Sequence, residues 1–186
     1  MWWRVPRGGA LWDAAKGAPN KAAFRRLVKS GAARGVLAFV GTRAVGWCAF
    51  GPRAEFPRTE RVRAYRRATP DPEVWSINCF FIARDVRGTG VARALLAGAV
   101  RACRRAGATL VEGYPVTATR DGHRVAPTFA WTGPRTIFDA EGFTIVQATV
   151  PERPLVQLRL SPSRSGSRGR SPASRTAPRR ARTSRR

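Results

Sequence analysis

Acidic residues, lysine, histidine and cysteine are all scarce in this sequence. The 186 residues include 11 acidic and 35 basic side chains, which give a formal net charge of +24. The single histidine and the three cysteines lack paired metal-ligand spacing, so the sequence predicts no metal site. An odd number of cysteines also argues against a disulfide framework and fits a reducing compartment. These residues are His123, Cys48, Cys79 and Cys103.

Long apolar runs are absent as well. No run in the chain approaches the ~18 residues that a membrane-spanning helix needs. The N-terminus also lacks the hydrophobic core of a signal peptide. We therefore expect a cytoplasmic location and no membrane partner.

Arginine supplies almost all of the basic charge, and much of it lies at the C-terminus. Residues 161–186 contain nine arginines, together with serine and proline, and no acidic residue. This composition cannot bury a core, so we predict a disordered Ser/Arg/Pro-rich basic tail that makes nonspecific polyanion contacts. The rest of the chain is still basic, which favours phosphorylated ligands, nucleic acid or an anionic surface. The near absence of lysine also fits the codon bias of a GC-rich genome, which weakens any functional interpretation of the arginines.

Hydrophobic patterns and turn residues predict one domain over residues 20–160, preceded by an N-terminal remnant, residues 1–19, without a clear element. Asn20 can cap the first helix, and Gly31 can end it. The next predicted elements are a hairpin turning at Gly41-Thr42, a loop over 54–73 with room for a turn of helix, a strand over 74–82 and a helix over 91–106. After them we predict a strand over 109–116, a loop over 117–130, a short helix within GPRTIFDAEGF, and two closing strands, TIVQATV and PLVQLRL. The predicted fold class is α/β, as an α+β mixed sheet with helices.

The segment RDVRGTGVARALL, residues 84–96, joins the predicted strand to the predicted helix. A glycine-rich turn at the start of a helix presents unpaired backbone N–H groups and the positive end of the helix dipole, which together favour a phosphate. A Walker A loop is excluded because Val91-Ala92 stands where that motif has Lys-Ser/Thr. A dinucleotide-binding turn is disfavoured, because Arg93 occupies the third glycine position and no further βαβ unit follows.

The hexapeptide RGTGVA, Arg87 to Ala92, matches the Arg/Gln-x-x-Gly-x-Gly/Ala signature of the GCN5-related N-acetyltransferase (GNAT) superfamily. The chain resembles this superfamily over most of residues 20–160, in the order of its elements and in the later pair Gly142-Phe143. The phrases GWCAFGPR and VEGYPV look like a bacterial subgroup of unassigned substrate. The resemblance implies the GNAT acyl-CoA N-acyltransferase fold, acetyl-CoA as co-substrate, and no metal. It also implies an acetyltransferase in which a primary amine, of a small molecule or a peptide, attacks acetyl-CoA directly.

The same resemblance implies the roles of particular residues. A backbone N–H near Phe81 or Ile82 would polarise the thioester carbonyl. Glu112 is the first candidate for the general base and Glu73 the second, while Tyr114 could protonate the leaving thiolate. The remaining cofactor-binding residues would be those of the turn: Arg87, Gly88, Thr89, Gly90, Val91 and Ala92.

Two features depart from the superfamily pattern. Phe138 stands where members commonly have the tyrosine that protonates the thiolate, so Tyr114 or water would have to replace it. The first strand of the fold has no counterpart ahead of Asn20, so we expect an N-terminally incomplete fold. The hairpin strand 35–42 would then be an exposed sheet edge, which makes a homodimer plausible.

Other functions stay open at this point. The Phe138 substitution and the missing first strand also fit a catalytically weakened acyl-CoA-binding domain. The basic tail fits a nonspecific nucleic-acid binder, although it has no aromatic side chains on which bases could stack.

Overall fold

The computed structural model describes most of the chain. The described residues are 2–5, 10–66, 71–117, 119–120, 123–124 and 130–161. The helices are α1 (Ala10–Ala14), α2 (Ala18–Lys29), α3 (Val91–Arg105) and α4 (Arg135–Ala140). The strands are β1 (Arg34–Val40), β2 (Arg43–Pro52), β3 (Val74–Ile82), β4 (Leu110–Gly113), β5 (Thr119–Arg120), β6 (His123–Arg124), β7 (Thr144–Gln147) and β8 (Leu155–Arg159). The predicted disordered tail lies outside the described residues from 162 onward, as does much of the predicted loop over 117–130. No helix in these ranges is long and apolar enough to cross a membrane.

Six of the strands form one mixed sheet in the order β1-β2-β3-β4-β8-β7. Strands β3 and β4 are parallel, and α3 connects them, whereas the other neighbours in this sheet are antiparallel. The hairpin predicted at Gly41-Thr42 is therefore confirmed. Strand β1 forms one edge of the sheet and exposes Leu37, Phe39 and Val40 to solvent.

Helix α3 packs on one face of the sheet and forms the main core with it. The side chains that it buries recur three and four residues apart, which is the apolar stripe of an amphipathic helix. The buried residues of α3 are Leu95, Leu96, Ala99, Val100 and Cys103. Gly46 of β2 allows this close approach, since a Cβ there would lie 3.0 Å from side-chain atoms of both Leu95 and Val91.

Strand β3 has two irregularities that shape the rest of the fold. In its pairing with β2, Ala49 is opposite Cys79 and Phe50 is opposite Ile77, so Asn78 is the extra residue of a β-bulge. Its parallel pairing with β4 ends at the pair Ile77–Gly113. Beyond that pair the two strands diverge, and the end of β3 is left without β4 beside it.

Several predicted boundaries differ from the structure. Asn20 does not cap α2, because the helix begins two residues earlier and Gly17 is its N-cap, with Pro19 in the first turn. Proline suits that position, since its fixed φ is helical and its missing N–H would be unpaired there anyway. Residues 2–4 form a 3₁₀ turn and α1 follows, although the sequence showed no clear element before Asn20.

The strand predicted over 109–116 is also too long, because β4 ends at Gly113. After that point the chain turns away from β3, and Val116 exchanges backbone hydrogen bonds with the segment before α4. The Val116 N–H donates to the Gly133 carbonyl at 2.8 Å, and the Arg135 N–H donates to the Val116 carbonyl at 2.9 Å. The predicted loop over 54–73 contains two further 3₁₀ turns, over Pro57–Arg61 and Arg63–Tyr65, after the one at Arg53–Glu55.

Replacing Leu96 with alanine tests the packing of α3 on the sheet. Leu96 is 0% exposed, so Leu96→Ala should lower the free energy of unfolding by about 2–5 kcal/mol, since it removes apolar contacts and leaves a cavity. Equilibrium urea denaturation measures this loss. The matched control Leu37→Ala lies on the exposed edge strand and should change stability by about 0.5 kcal/mol or less. Equal losses for the two variants would contradict the core described above.

Candidate active site

A cavity of about 500 Å³ lies at the C-terminal end of β3, beyond its last pair with β4. Its walls are the end of β3, the glycine turn, the first turn of α3 and the segment from Ala130 to Ile137. All but one of the predicted cofactor-binding residues line this cavity. The exception is Thr89, whose hydroxyl donates to the Val86 carbonyl at 2.8 Å. The structure thus brings together residues that are separated by about 50 positions in the sequence.

The glycine turn has the geometry of an open anion cradle. Gly88 and Gly90 have φ of 82° and 88°, and nothing lies within 4 Å of the position that a Cβ would take at either residue. These positive φ values are ones that residues with a side chain rarely adopt. Gly90 is the N-cap of α3, and among the described residues no side chain caps the helix. The first N–H groups of α3 have no carbonyl within the helix to bond, so they remain available at the wall of the cavity.

The opposite wall of the cavity is the unpaired end of β3. The Phe80 N–H points away from β2 and donates to the Trp131 carbonyl at 2.7 Å. Because backbone groups alternate sides along a strand, the N–H of Ile82 points to the same side as that of Phe80. The carbonyl of Ile82 confirms this direction, since it accepts a hydrogen bond of 3.2 Å from Nε of Arg87 in the turn. The backbone N–H and carbonyl of Ile82 therefore point into the gap that β4 leaves beside the end of β3, whereas those of Phe81 point towards β2.

Glu112 and Tyr114 lie in a buried polar cluster on the other face of the sheet, centred on Arg53. One nitrogen of the Arg53 guanidinium donates to Oε2 of Glu112 and to the hydroxyl of Tyr114, the latter at 2.8 Å. That hydroxyl donates in turn to Oε2 of Glu112 at 3.1 Å. The amide of Gln157 donates to Oε1 of Glu112 at 2.9 Å, and the Ser76 hydroxyl lies 3.3 Å from that of Tyr114. We call this set the Arg53 cluster.

Burial and charge both act on the Arg53 cluster. Glu112, Tyr114 and Ser76 are fully buried, and Arg53 is 4% exposed. Burial raises the pKa of Tyr114, and the neighbouring carboxylate of Glu112 raises it further. Burial lowers the pKa of Arg53, but Tyr114, Glu112 and Glu60 together outweigh this effect and raise it. Arginine and tyrosine therefore both stay protonated across the physiological range.

The predicted catalytic residues are thus held together, but they do not line the cavity. Glu112 and Tyr114 contact each other behind it, on the face opposite α3. Glu73, the second candidate for the base, precedes β3 and so lies at the opposite end of that strand from the cavity. Its carboxylate accepts a 2.9 Å hydrogen bond from the Thr109 hydroxyl. Neither Glu112 nor Glu73 is among the described residues that line the cavity.

Phe138 is a fully buried core residue. Its ring packs edge-on against Phe80 and Phe143, with centroids 6.1 Å and 5.1 Å away. A Cβ on Gly113 would lie 2.3 Å from this ring, so the ring fills the space beside β4 that any larger residue would need. The resemblance predicted a thiolate-protonating tyrosine at this position, and the phenylalanine found there packs in the core instead.

Aromatic side chains separate the cavity from the Arg53 cluster. Trp131 lines the cavity, and its ring lies 5.3 Å from that of Trp3, which stacks on Tyr114 at 5.8 Å. Arg153 lies over the Trp131 ring at 4.9 Å. Sequence reasoning missed Arg53, Trp3 and Trp131. Each lies outside the main helices and strands, so no periodic pattern pointed to it.

The sequence matches the model of the family described as "Acetyltransferase (GNAT) family" over residues 7–122. No curated protein matches the sequence. Among solved structures, the chain is similar to a candidate acetyltransferase from Acinetobacter baylyi, with 14% identity and a TM-score of 0.50. That alignment covers 78% of this chain and 73% of the other. At this identity the likeness concerns the fold.

Two further similar structures were solved with acetyl-CoA. One is a candidate acetyltransferase from Salmonella typhimurium, with 14% identity, a TM-score of 0.49, and coverage of 76% of this chain and 73% of the other. The other is a phosphinothricin acetyltransferase from Sinorhizobium meliloti, with 15% identity, a TM-score of 0.47, and coverage of 80% and 76%.

The Arg53 cluster makes a prediction about stability. Arg53→Met should lower the free energy of unfolding by about 3–5 kcal/mol, because Glu112 would keep a fully buried charge without its cation. Adding Glu112→Gln to this variant should recover part of the loss, since the buried charge is then removed. Thermal and urea unfolding of both variants measure the two effects. Arg84→Met, on the surface, is the control, and a loss at Arg53 no larger than at Arg84 would contradict a structural ion pair.

Proposed function

The chain belongs to the GNAT acetyltransferase family, and from this premise we propose that it transfers the acetyl group of acetyl-CoA to a primary amine. The single observation that carries the proposal is the cavity, which joins the open glycine turn to the unpaired end of β3. A phosphate-binding turn and an extended backbone edge are what a long, phosphorylated thioester requires. The basic composition of the chain agrees with a polyanionic co-substrate.

The turn would hold the phosphates of the co-substrate. Gly88 and Gly90 leave open space above the backbone, so a pyrophosphate could approach the first N–H groups of α3 closely. The helix dipole favours negative charge at this end. Arg87 and Arg93 line the same cavity and add positive charge. We propose Arg87 to Ala92 as the phosphate-binding segment on these grounds.

The end of β3 would hold the pantetheine arm and the thioester. Beyond Ile77 this strand has no β4 beside it, so the amides of the arm could pair with it as an added strand would. The Ile82 N–H points into the gap and could polarise a carbonyl there. The Phe80 N–H donates to the Trp131 carbonyl. It could also polarise the thioester carbonyl once the thioester displaces the Trp131 carbonyl from this hydrogen bond. This geometry supports Ile82 over Phe81 as the backbone donor.

The proposed reaction is a direct attack. The neutral amine adds to the thioester carbonyl, a C–N bond forms, the C–S bond breaks, and coenzyme A leaves as its thiolate. One proton leaves the amine and one reaches the thiolate. We keep Glu112 as the proposed base and Tyr114 as the proposed acid. Both belong to the Arg53 cluster, so an acceptor has to reach that face of the sheet for either to act.

Cofactor binding gives the first test of this proposal. Acetyl-CoA at about 100 times its dissociation constant should stabilise the full chain by roughly 2.7 kcal/mol, and a larger Tm shift than with adenosine 3′,5′-bisphosphate would show that the thioester arm also binds. Gly90→Glu should abolish the shift, because a carboxylate would occupy the turn and repel phosphate.

Gly107→Glu is the matched control for this test. Gly107 follows the other end of α3, has φ of 86°, and has nothing within 4 Å of the position that a Cβ would take. It therefore carries the same backbone strain without touching the cavity. Retention of the acetyl-CoA shift in Gly107→Glu with its loss in Gly90→Glu supports the proposal. Loss of the shift in both variants, or no shift in the unchanged protein, would overturn it.

Tyr114→Phe tests the proposed acid. The substitution removes one hydroxyl from the Arg53 cluster, and we expect kcat to fall by about 100-fold with the affinity for acetyl-CoA unchanged. Because burial raises the pKa of Tyr114, the acid stays protonated, and the unchanged enzyme should show no alkaline loss of kcat below about pH 10 from this residue. Rates of coenzyme A release with a panel of primary amines provide the measurement. A variant that loses stability but keeps kcat would remove Tyr114 from the chemistry.

A further inference from the structure

Asn78 is a buried polar residue whose side chain has no hydrogen-bond partner. It is 0% exposed, and among the described residues neither its Nδ2 nor its Oδ1 forms a hydrogen bond. Burying an amide in this way costs stability, because both groups lose their bonds to water and gain nothing in return. Such a group in a folded core therefore calls for a functional explanation.

The strand pairing fixes the face on which Asn78 lies. Cys48 and Phe50 of β2 are paired with Phe80 and Ile77, and all four belong to the core under α3. Alternation along β3 from Ile77 places Asn78 on the opposite face of the sheet, with Ser76. The bulge then interrupts the alternation, so that Cys79, which is paired with Ala49, lies on that face as well. That is the face of the Arg53 cluster.

Along the strand, Asn78 stands where β3 and β4 part. Ser76 is paired with Glu112 and Ile77 with Gly113, so Asn78 is the first residue of β3 without a partner on β4. Two residues later Phe80 lines the cavity. Two residues earlier the Ser76 hydroxyl contacts that of Tyr114. Asn78 thus lies between the proposed thioester site and the proposed acid.

A second orphaned polar group lies on the same face. Nε1 of Trp3 is buried and has no hydrogen-bond partner among the described residues. The Trp3 ring stacks on Tyr114 and contacts Trp131, which lines the cavity. Unused polar groups on this face, behind the aromatic wall of the cavity, indicate a site for a polar molecule other than acetyl-CoA.

We propose that the side-chain amide of Asn78 binds the acceptor amine, an inference that rests on the proposed function. An amine that attacks the thioester has to approach from the face that α3 and the phosphate-binding turn leave free, and Asn78 lies on that face. Oδ1 accepts an N–H of the amine, and Nδ2 donates to an oxygen beside it. Because both halves of the amide are unused, the complementary acceptor carries a donor and an acceptor close together. The matching substrate class is an amine next to a carbonyl, as in an amino-acid amide or a peptide N-terminus.

Two amines of similar size test this specificity. Alaninamide has the carbonyl beside its amine, whereas sec-butylamine lacks it. The ratio of kcat/KM for alaninamide to kcat/KM for sec-butylamine should fall at least tenfold from the unchanged enzyme to Asn78→Leu, and by a similar factor in Asn78→Ala. The different pKa values of the two amines cancel when the ratio is compared between variants. Both variants should bind acetyl-CoA as the unchanged enzyme does.

Thermal stability provides a readout that does not depend on activity. Asn78→Leu replaces an unused amide with an apolar side chain of similar size, so Tm should rise by about 2–4 °C. The matched control is Thr59→Val, since Thr59 is also fully buried but its hydroxyl donates to the Phe56 carbonyl at 2.8 Å. Removing this satisfied hydroxyl should lower Tm.

The outcomes separate this inference from the proposed function. If the unchanged protein binds no acetyl-CoA, the proposed function fails and the inference fails with it. If acetyl-CoA binds but the ratio of the two amines is the same in Asn78→Leu and Asn78→Ala as in the unchanged enzyme, the role of Asn78 is overturned while the proposed function stands. A fall in Tm for Asn78→Leu would also overturn it, because it would show that the amide is satisfied structurally.

Discussion

The packing of Phe138 against Gly113 is the contact on which the rest of this structure depends. The ring occupies space that a side chain at Gly113 would need, and it lies at the point where the parallel pairing of β3 and β4 ends. It also contacts Phe80 and Phe143, so α4 is held against the sheet at the divergence. The gap that becomes the cavity exists because β4 turns away there. A tyrosine in place of Phe138 would bring a hydroxyl into this packed contact. We therefore assign Phe138 a role in packing and none in proton transfer.

The parts of the fold that the sequence predicts are those that local patterns determine. The strand over 74–82 and the helix from Val91 were predicted at the observed positions, because a buried apolar run and a 3.6-residue stripe each identify one kind of element. Boundaries set by tertiary contacts were predicted poorly. The predicted strand 109–116 contains Gly113 and Pro115, which both disfavour a continuing strand. Only the turn of the chain towards the segment before α4 fixes Gly113 as its last paired residue. Asparagine is a residue type that commonly caps helices, but α2 begins before Asn20 and has Pro19 in its first turn.

The same distinction explains the two halves of the candidate site. The glycine turn is contiguous in the sequence, so its glycines and the helix after it could be recognised as one motif. The Arg53 cluster is assembled from β3, β4, β8 and the turn after β2, and only the strand order brings these segments together. Glu112 and Tyr114 could be predicted to share a face, because they are two residues apart on one predicted strand. Arg53, one of 35 basic residues, had no local feature that distinguished it.

The two faces of the sheet divide the proposed chemistry between them. The face under α3 is apolar, and the glycine turn opens at its end, while the other face carries the buried ion pair of Arg53 and Glu112. The proposed reaction needs both faces, because in it the thioester and the amine approach each other from opposite sides of the sheet. They can meet only where the sheet is open, which is beyond the pair Ile77–Gly113. At that opening the Phe80 N–H bonds the Trp131 carbonyl, a backbone donor and acceptor in the place where a thioester carbonyl would compete. In the proposed reaction, the thioester carbonyl would replace the Trp131 carbonyl at the Phe80 N–H. Displacement of Trp131 would then break its ring contact with Trp3, which stacks on Tyr114.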